Sequence, residues 1–259
     1  MTYVVGIDLH GTLLDDEWEI KPRLLPELTR TLRAVADFCR IYVCSGNDLN
    51  FIHRYVPADV RAHFSGYVLE TGCVLSDGIT ENVIVPDEQV RTVKKLEKQL
   101  MQMAFPEVKY FARRLCSISL FTRTESGGSD PADFHPLAEA AVRKLGLGDA
   151  MLVTHSNVAV DILPSGFTKF SGIRHVAAGQ KTVGVADSLN DIHLLTDADL
   201  AFIPANGSQR LIQELEKGGH RVRPLSEWRA GSVGTVWRSR FPATEGVIDI
   251  LRFLERLSR

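Results

Sequence analysis

Four short stretches, far apart in the chain, carry residues that could work together: Asp8 in "GIDLHGTL", Ser45 and Gly46 in "CSGND", Lys169 in "FTKF", and Asp187, Asn190 and Asp191 in "ADSLND". Asp8, Asp187 and Asp191 are hard oxygen donors, the kind that suits Mg²⁺. Ser45, the loop N–H groups at Gly46 and the Lys169 ammonium match a phosphate. A carboxylate can attack phosphorus and form an aspartyl-phosphate. The charge of that transfer calls for a metal and a lysine to neutralise it. Taken singly, each residue has an ordinary use. Asp8 would serve a turn, Ser45 would cap a helix, Lys169 would be a solvated surface lysine, and Asp191 would favour a helix dipole. The combination is what carries chemistry.

Three of the four stretches follow a run that reads as a buried strand: "YVVGI" before Asp8, "IYVC" (41–44) before Ser45, and "KTVGVAD" (181–187), which ends on Asp187. "GYVLETGCVLSDG" (66–78) reads as strands around a Thr-Gly turn, and "DLAFIP" (199–204) and "GGHRVRP" (218–224) as further strands. Leu25, Leu28, Leu32 and Val35 recur at helical spacing. Helices are predicted over 169–178, 190–197 and 207–217, and a final one carries Val247, Ile250, Leu251, Leu254 and Leu257. Strands alternating with helices imply a parallel sheet with crossover helices. Ligands of such sheets collect beyond the carboxyl ends of the strands. Residues 226–241 show no clean period and read as a surface loop, or as a dimer or cap contact.

The pattern changes between residues 79 and 163. Val90, Val93, Leu96 and Leu100 form a helical stripe, and "KYFARRLCSISLFTR" (109–123) alternates like a half-exposed strand. "ESGGSDPAD" (125–133) reads as a loop, and Leu137, Ala141, Val142 and Leu145 as another helix. "AMLVTHSNVAVDILPSG" (150–166) reads as two strands around His155–Asn157. These pieces suggest a small α+β insertion over 79–163, within a core of 1–78 and 164–259.

"DLHGTL", "CSG", "FTK" and "ADSLND" resemble, in this order, the four motifs of the haloacid dehalogenase superfamily of phosphatases. "LETGC" (69–73) is similar to the Glu-Asn-Gly-Ala stretch of members with a type-two cap. The resemblance implies an α/β fold, a Rossmann-like parallel sheet core with an inserted smaller α+β cap. It implies Mg²⁺ as cofactor and hydrolysis of a phosphomonoester through an aspartyl-phosphate. Asp8 would be the nucleophile and a metal ligand, and the backbone carbonyl of His10 another ligand. Ser45 would hydrogen-bond the phosphoryl group, Lys169 would neutralise it, and Asn190 would orient phosphate or metal water. Asp187 would bind the metal, with Asp191 as ligand or close support.

Three positions depart from the family pattern: Phe170 and Ala186 stand where glycine is usual, and His10 where an acid–base Asp is usual. A positioned acid–base contributes roughly 10²–10⁴-fold, so its loss slows the reaction without abolishing it. Imidazole, with an unperturbed pKa of about 6.5, can do both proton jobs. His10 is therefore a substitute acid–base, a bystander in a slow phosphatase, or the mark of a binding relic.

The insertion is similar to the caps of sugar-phosphate, phosphoglycolate and mannosyl-phosphoglycerate phosphatases. That implies a small-molecule phosphate ester as partner, a phosphorylated sugar or sugar acid. Arg113, Arg114 and Arg123 could meet an anionic or hydroxyl-rich leaving group, or be solvated strand residues. A phosphomutase would use the same Asp8, a dehalogenase would need no metal cluster, and a regulatory phosphate-binding protein would use the same pocket without turnover.

Bulk properties fit a globular protein, with 259 residues, 44% hydrophobic, 24% charged and a net charge of −2. There is no basic field for nucleic acid and no apolar run of membrane-span length. The first apolar run is too short for a leader, so a cytoplasmic monomer or homodimer is expected. Cys39, Cys44, Cys73 and Cys116 are widely spaced and read as buried reduced thiols. The seven histidines besides His10 have no metal-ligand spacing.

Overall fold

Tyr3–Asp8 form β1, and all six residues are buried in the computed structural model, which describes residues 3–123, 130–156 and 159–258. A run of Tyr, Val and Ile with no charged side chain before Asp8 suits a strand covered on both faces. Next come α1 (Leu25–Val35), β2 (Cys39–Cys44), α2 (Leu49–Tyr55), α3 (Ala58–Arg61) and β3 (Gly66–Leu69). The expected stripe of α1 is there: Leu28, Leu32 and Val35 are buried.

The chain divides into two compact units, Met1–Gly72, Ser76–Glu81 and Thr168–Arg259 as the first, and Cys73–Leu75 and Asn82–Phe167 as the second. Two short strands, β4 (Val74–Ser76) and β5 (Glu81–Val83), lie where the chain passes between units. The sequence reading put the insertion at 79–163; the second unit takes in Cys73–Leu75 as well, and its main part runs from Asn82 to Phe167.

The second unit contains α4 (Asp87–Gln102), β6 (Val108–Ala112), β7 (Ile118–Thr122), α5 (Pro131–Lys144), β8 (Met151–His155) and β9 (Ala159–Pro164). The strands form an antiparallel sheet ordered β6-β7-β9-β8. Ile118, Leu120, Val160 and Ile162 pack with Leu96 of α4 and Phe134 of α5 in one core. Strand side chains alternate between faces, so Ser119, Phe121 and Asp161 line the opposite face, with Tyr110 in register beside Phe121.

Two expectations change here. Residues 109–123 are two strands rather than one, turned at 113–117 around Arg114, which is buried and whose carbonyl accepts from Lys94 Nζ at 2.6 Å. Residues 131–133 are helical rather than loop, because the Asp130 carboxylate caps Ala132 N–H at 2.8 Å and Pro131 fits the first helical position. Residues 125–129 of that expected loop, and Asn157 of the turn expected at His155–Asn157, lie outside the described residues, while His155 is the last residue of β8.

The first unit resumes with α6 (Lys169–Ala177), β10 (Lys181–Val185), α7 (Ile192–Thr196), β11 (Leu200–Ile203), α8 (Gln209–Lys217), β12 (Arg221–Pro224), β13 (Thr235–Arg238) and α9 (Ala243–Ser258). Seven strands run in the order β12-β13-β11-β10-β1-β2-β3, every neighbouring pair parallel. The crossovers β1–α1–β2 and β3–α6–β10 travel in opposite directions, so right-handed connections put α1 and α6 on opposite faces. The order reverses at β1, which opens a crevice beyond its carboxyl end.

Residues 226–241, read as a surface loop or contact segment, hold β13 instead. It lies between β11 and β12 with Trp237 buried, and Trp228 packs edge-on against Phe253 of α9. The four cysteines are free and buried. Among the described residues no helix is long and apolar enough to cross a membrane.

Candidate functional site

Sheet register explains why the four sequence stretches meet. Asp8 pairs with Cys44 across β1 and β2, so Ser45 follows at the same level. Ile7 pairs with Val185 across β1 and β10, which brings Asp187 to the same end. Lys169 is the first residue of α6, whose start is held by a capping box: Thr168 Oγ1 accepts from Ser171 N–H at 3.1 Å, and Ser171 Oγ accepts from Thr168 N–H at 2.9 Å. From there Lys169 Nζ reaches Asp8 Oδ1 and Asp191 Oδ1, each at 2.5 Å. Those two oxygens therefore lie no farther apart than twice that distance. The ordinary alternative for Lys169 fails, because it is only 4% exposed.

Asp187 enters from the other side, its Oδ1 accepting from Thr12 Oγ1 at 3.0 Å. Gly11 makes that approach possible. Its φ is +72°, and a Cβ there would sit 2.3 Å from Asp187 Oδ2. Ser188 Oγ donates to Asn190 Oδ1 and to Asp191 Oδ2, the latter at 3.2 Å. The first contact fixes the Asn190 amide and turns its two N–H donors elsewhere.

The Ser45 loop has its own lattice. Ser45 is buried, and its N–H donates to Val68 O at 2.8 Å. Its Oγ accepts from Asn47 N–H at 3.1 Å, while the N-cap of α2 is Asp48. Capping is thus not the use of Ser45. Gly46, beside it, is half-buried. Thr71 N–H donates to Ser45 O at 3.0 Å, and Glu70 N–H to Asn47 O at 3.3 Å. Glu70, Thr71 and Gly72 all have positive φ, at +46°, +56° and +101°. Such backbone strain is rare for a β-branched residue like Thr71. A Cβ on Gly72 would fall 2.0 Å from Thr168 O, so this turn is wedged between the Ser45 loop and the start of α6.

Charge is out of balance in this cluster: three carboxylates face one ammonium. Burial, then the charges of Asp8 and Asp191, push Asp187 up to about 8. Burial and the Asp8 charge push Asp191 up to about 6, against the pull of Lys169. Burial alone would lower Lys169, but Asp191 and Asp8 outweigh it and hold the ammonium charged. A set of hard carboxylate oxygens with surplus negative charge fits a divalent cation such as Mg²⁺. Another acidic group, Asp15, Glu17 and Glu19, has donor atoms within 4.8 Å of one another, at the surface.

His10 lies where the two characters of the site meet. Its ring is 5.0 Å from Phe51 and 5.6 Å from Trp18, and Tyr55 extends the cluster at 4.4 Å from Phe51. Trp18 takes a left-handed backbone, φ +64°, within the 15–19 turn that Asp15 ties together. Burial first, and then the Lys169 charge, lower His10 to about 4 against the opposing pull of Asp191. The imidazole is neutral at pH 7, so its pKa is not the ordinary 6.5 assumed from sequence.

The first unit thus brings together Asp8, His10, Ser45, Gly46, Lys169, Asp187, Asn190 and Asp191. Arg113 and Arg123 are exposed in the second unit, and Arg114 is buried there. Sequence reasoning missed Thr12, Ser188 and the ring cluster of Trp18, Phe51 and Tyr55. Thr12 sits in the quoted Gly-Thr turn and was the one within reach.

The fold is that of haloacid dehalogenase phosphatases with a cap domain. No protein-family model matches the chain, and no curated protein does. Solved structures do match. The sucrose-phosphatase of a Synechocystis species, in complex with sucrose and phosphate, has a TM-score of 0.66 at 14% identity, covering 98% of each chain. A trehalose-6-phosphate phosphatase related protein has a TM-score of 0.59 at 15% identity, also covering 98% of each. A haloacid dehalogenase-like hydrolase from Bacteroides thetaiotaomicron has a TM-score of 0.63 at 13% identity, over 98% of this chain and all (100%) of that one. At these identities the likeness is one of fold.

Proposed function

We propose that this protein is a Mg²⁺-dependent phosphomonoester hydrolase that works through an aspartyl-phosphate on Asp8. The observation that carries this reading is the buried Lys169 ammonium, 2.5 Å from both Asp8 and Asp191, at the carboxyl ends of adjacent parallel strands. Asp8, Asp187, Asp191 and the His10 carbonyl would hold Mg²⁺, which would supply positive charge for the phosphoryl oxygens.

An Asp8 carboxylate oxygen attacks phosphorus, and the bond from phosphorus to the ester oxygen breaks. The ester oxygen leaves with the electrons of that bond and takes its proton from water. Water then attacks the phosphorus of the aspartyl-phosphate, inorganic phosphate departs, and the carboxylate is restored. Lys169 neutralises the charge gathering beside Asp8. Ser45 Oγ–H, the N–H at Gly46 and the free N–H donors of Asn190 hold phosphoryl oxygens in place. His10 is neutral at pH 7, so it can take a proton from the attacking water. In the first half-reaction it begins with none to give.

The leaving group is a phosphorylated sugar or sugar acid in this reading. Two of the similar structures bear sugar-phosphate phosphatase names. The sheet face of the second unit opposite its core also carries suitable groups: Asp161, which accepts from Ser119 Oγ at 2.5 Å, and Tyr110, which stacks on Phe121 at 4.7 Å. Hydroxyls and the C–H face of a pyranose suit such partners. The test is a panel of phosphomonoesters with and without Mg²⁺, with Asp8→Asn alongside. Mg²⁺-dependent release of phosphate, lost in Asp8→Asn, is expected. Release without Mg²⁺ or undiminished in Asp8→Asn would overturn the reading, as would no release from any ester.

A further inference from the structure

Two side chains from the C-terminal part of the first unit grip the loop that carries Asp8, and neither has a part in the reaction above. Asn206 Nδ2 donates to Gly11 O at 2.7 Å, and its Oδ1 accepts from Ala243 N–H at 2.8 Å. Thr244 Oγ1 donates to Leu13 O at 2.7 Å. The same segment reaches the second acid loop, where Ser208 N–H donates to Asp187 O at 2.8 Å.

The chemistry of the two ends dictates the side chain. A carbonyl oxygen only accepts and a backbone N–H only donates, so a side chain that serves both must carry a donor and an acceptor; the Asn206 amide offers them on two separate atoms. The Gly11–Thr12 peptide is planar, so fixing its oxygen fixes the direction of its N–H and the approach of Thr12. Thr12 Oγ1 is the donor to Asp187, and Gly11 has no room for a Cβ against that carboxylate. The Asn206 contact therefore sets the register between the Asp8 loop and the Asp187 loop.

We propose that Asn206 is a positioning residue, clamping the Gly11–Thr12 peptide so that Asp8 and Asp187 face the same phosphoryl group. Its kinetic consequence rests on the phosphatase reading; its effect on the loop does not. Asn206 is exposed, so water can satisfy the freed groups and little stability is lost with it. What is lost is direction. Thr244 is buried, and its hydroxyl supports the same loop from below.

The experiment compares wild type with Asn206→Asp, which keeps the acceptor and loses the donor, with Asn206→Ala, and with Thr244→Ser, which keeps a hydroxyl. Amide hydrogen exchange is followed over residues 8–14, and p-nitrophenyl phosphate hydrolysis with Mg²⁺ is measured on the same samples. Both Asn206 variants are expected to exchange about tenfold faster in that loop alone. Their kcat should fall about 10- to 100-fold with KM little changed, and Thr244→Ser should behave like wild type. Loop exchange equal to wild type in both Asn206 variants would overturn the proposal. So would faster exchange with unchanged kcat, or a loss of kcat that only follows a loss of folded protein. If wild type hydrolyses no ester, the phosphatase reading fails and loop exchange alone decides the clamp.

Discussion

On one side of His10 lie Asp8, Lys169 and Asp191, each no more than 4% exposed, with Asp187 beside them. On the other lie Trp18, Phe51 and Tyr55, half-buried and joined by ring contacts of 4.4–5.7 Å. The charged half is fixed by strand ends and by short polar contacts with one solution. The aromatic half is held by packing, which tolerates rings of similar size. His10 belongs to both, and burial, with the Lys169 charge behind it, keeps its imidazole uncharged against the pull of Asp191. A substitution should therefore do heavy damage on one side and light damage on the other.

The heaviest is Lys169→Met. It leaves Asp8 and Asp191 buried without their cation, which is expected to cost about 3–5 kcal/mol in urea unfolding of the metal-free protein. Mg²⁺ should return part of that stability, whereas in a merely structural ion pair it would return none. Gly11→Ala comes next. Its Cβ meets Asp187 at 2.3 Å and φ is +72°, so a loss of about 1–3 kcal/mol is expected. The rise in melting temperature on adding Mg²⁺ should shrink with it.

A pH effect follows. Asp187 and Asp191 stand at about 8 and about 6, above the usual 3.8. The folded metal-free protein thus holds protons that the unfolded chain has released. Their contribution to stability is full below pH 3.8 and is lost as pH rises through 6 and then 8. Urea midpoints of the metal-free wild type should carry this downward trend relative to Asp187→Asn, and Mg²⁺ should remove it. An identical pH trend in the two proteins would show that Asp187 titrates normally.

The same contrast explains what could be read from the chain. Asp8, Ser45 and Asp187 close apolar strand runs, and parallel pairing brings such ends together whatever their separation in sequence. Lys169 and Asp191 were legible through their motifs. The ring cluster was not, because Trp18, Phe51 and Tyr55 share no period with His10 and meet it only through the 15–19 turn. Asn206 was hidden in "PANGS", which carries no motif and shows its use only when its side chain is seen to join Gly11 and Ala243. β13 escaped notice because four residues after Gly234, with Val236 and Trp237 as the buried pair, are too short a run to show alternation. Turn chemistry at Arg114 likewise split one expected strand into β6 and β7.

The lightest effects belong to the aromatic half. His10→Phe keeps ring packing and should leave stability within about 1 kcal/mol of wild type, while His10→Ala forfeits contacts worth about 0.5–1.5 kcal/mol. Thermal melts compare the two directly. Because His10 starts without a proton to donate, wild type should hydrolyse p-nitrophenyl phosphate at least about tenfold faster than an alkyl phosphate bound equally well. Equal kcat values would mean that leaving-group protonation is well provided for.

The most direct measurement of the central claim is peptide mapping by mass spectrometry after mixing enzyme, Mg²⁺ and a hydrolysed ester and quenching rapidly in acid. A phosphoryl adduct on the peptide containing Asp8, absent in Asp8→Asn, is the expected result. Steady turnover with no adduct on that peptide at any quench time, and a rate that survives in Asp8→Asn, would contradict it.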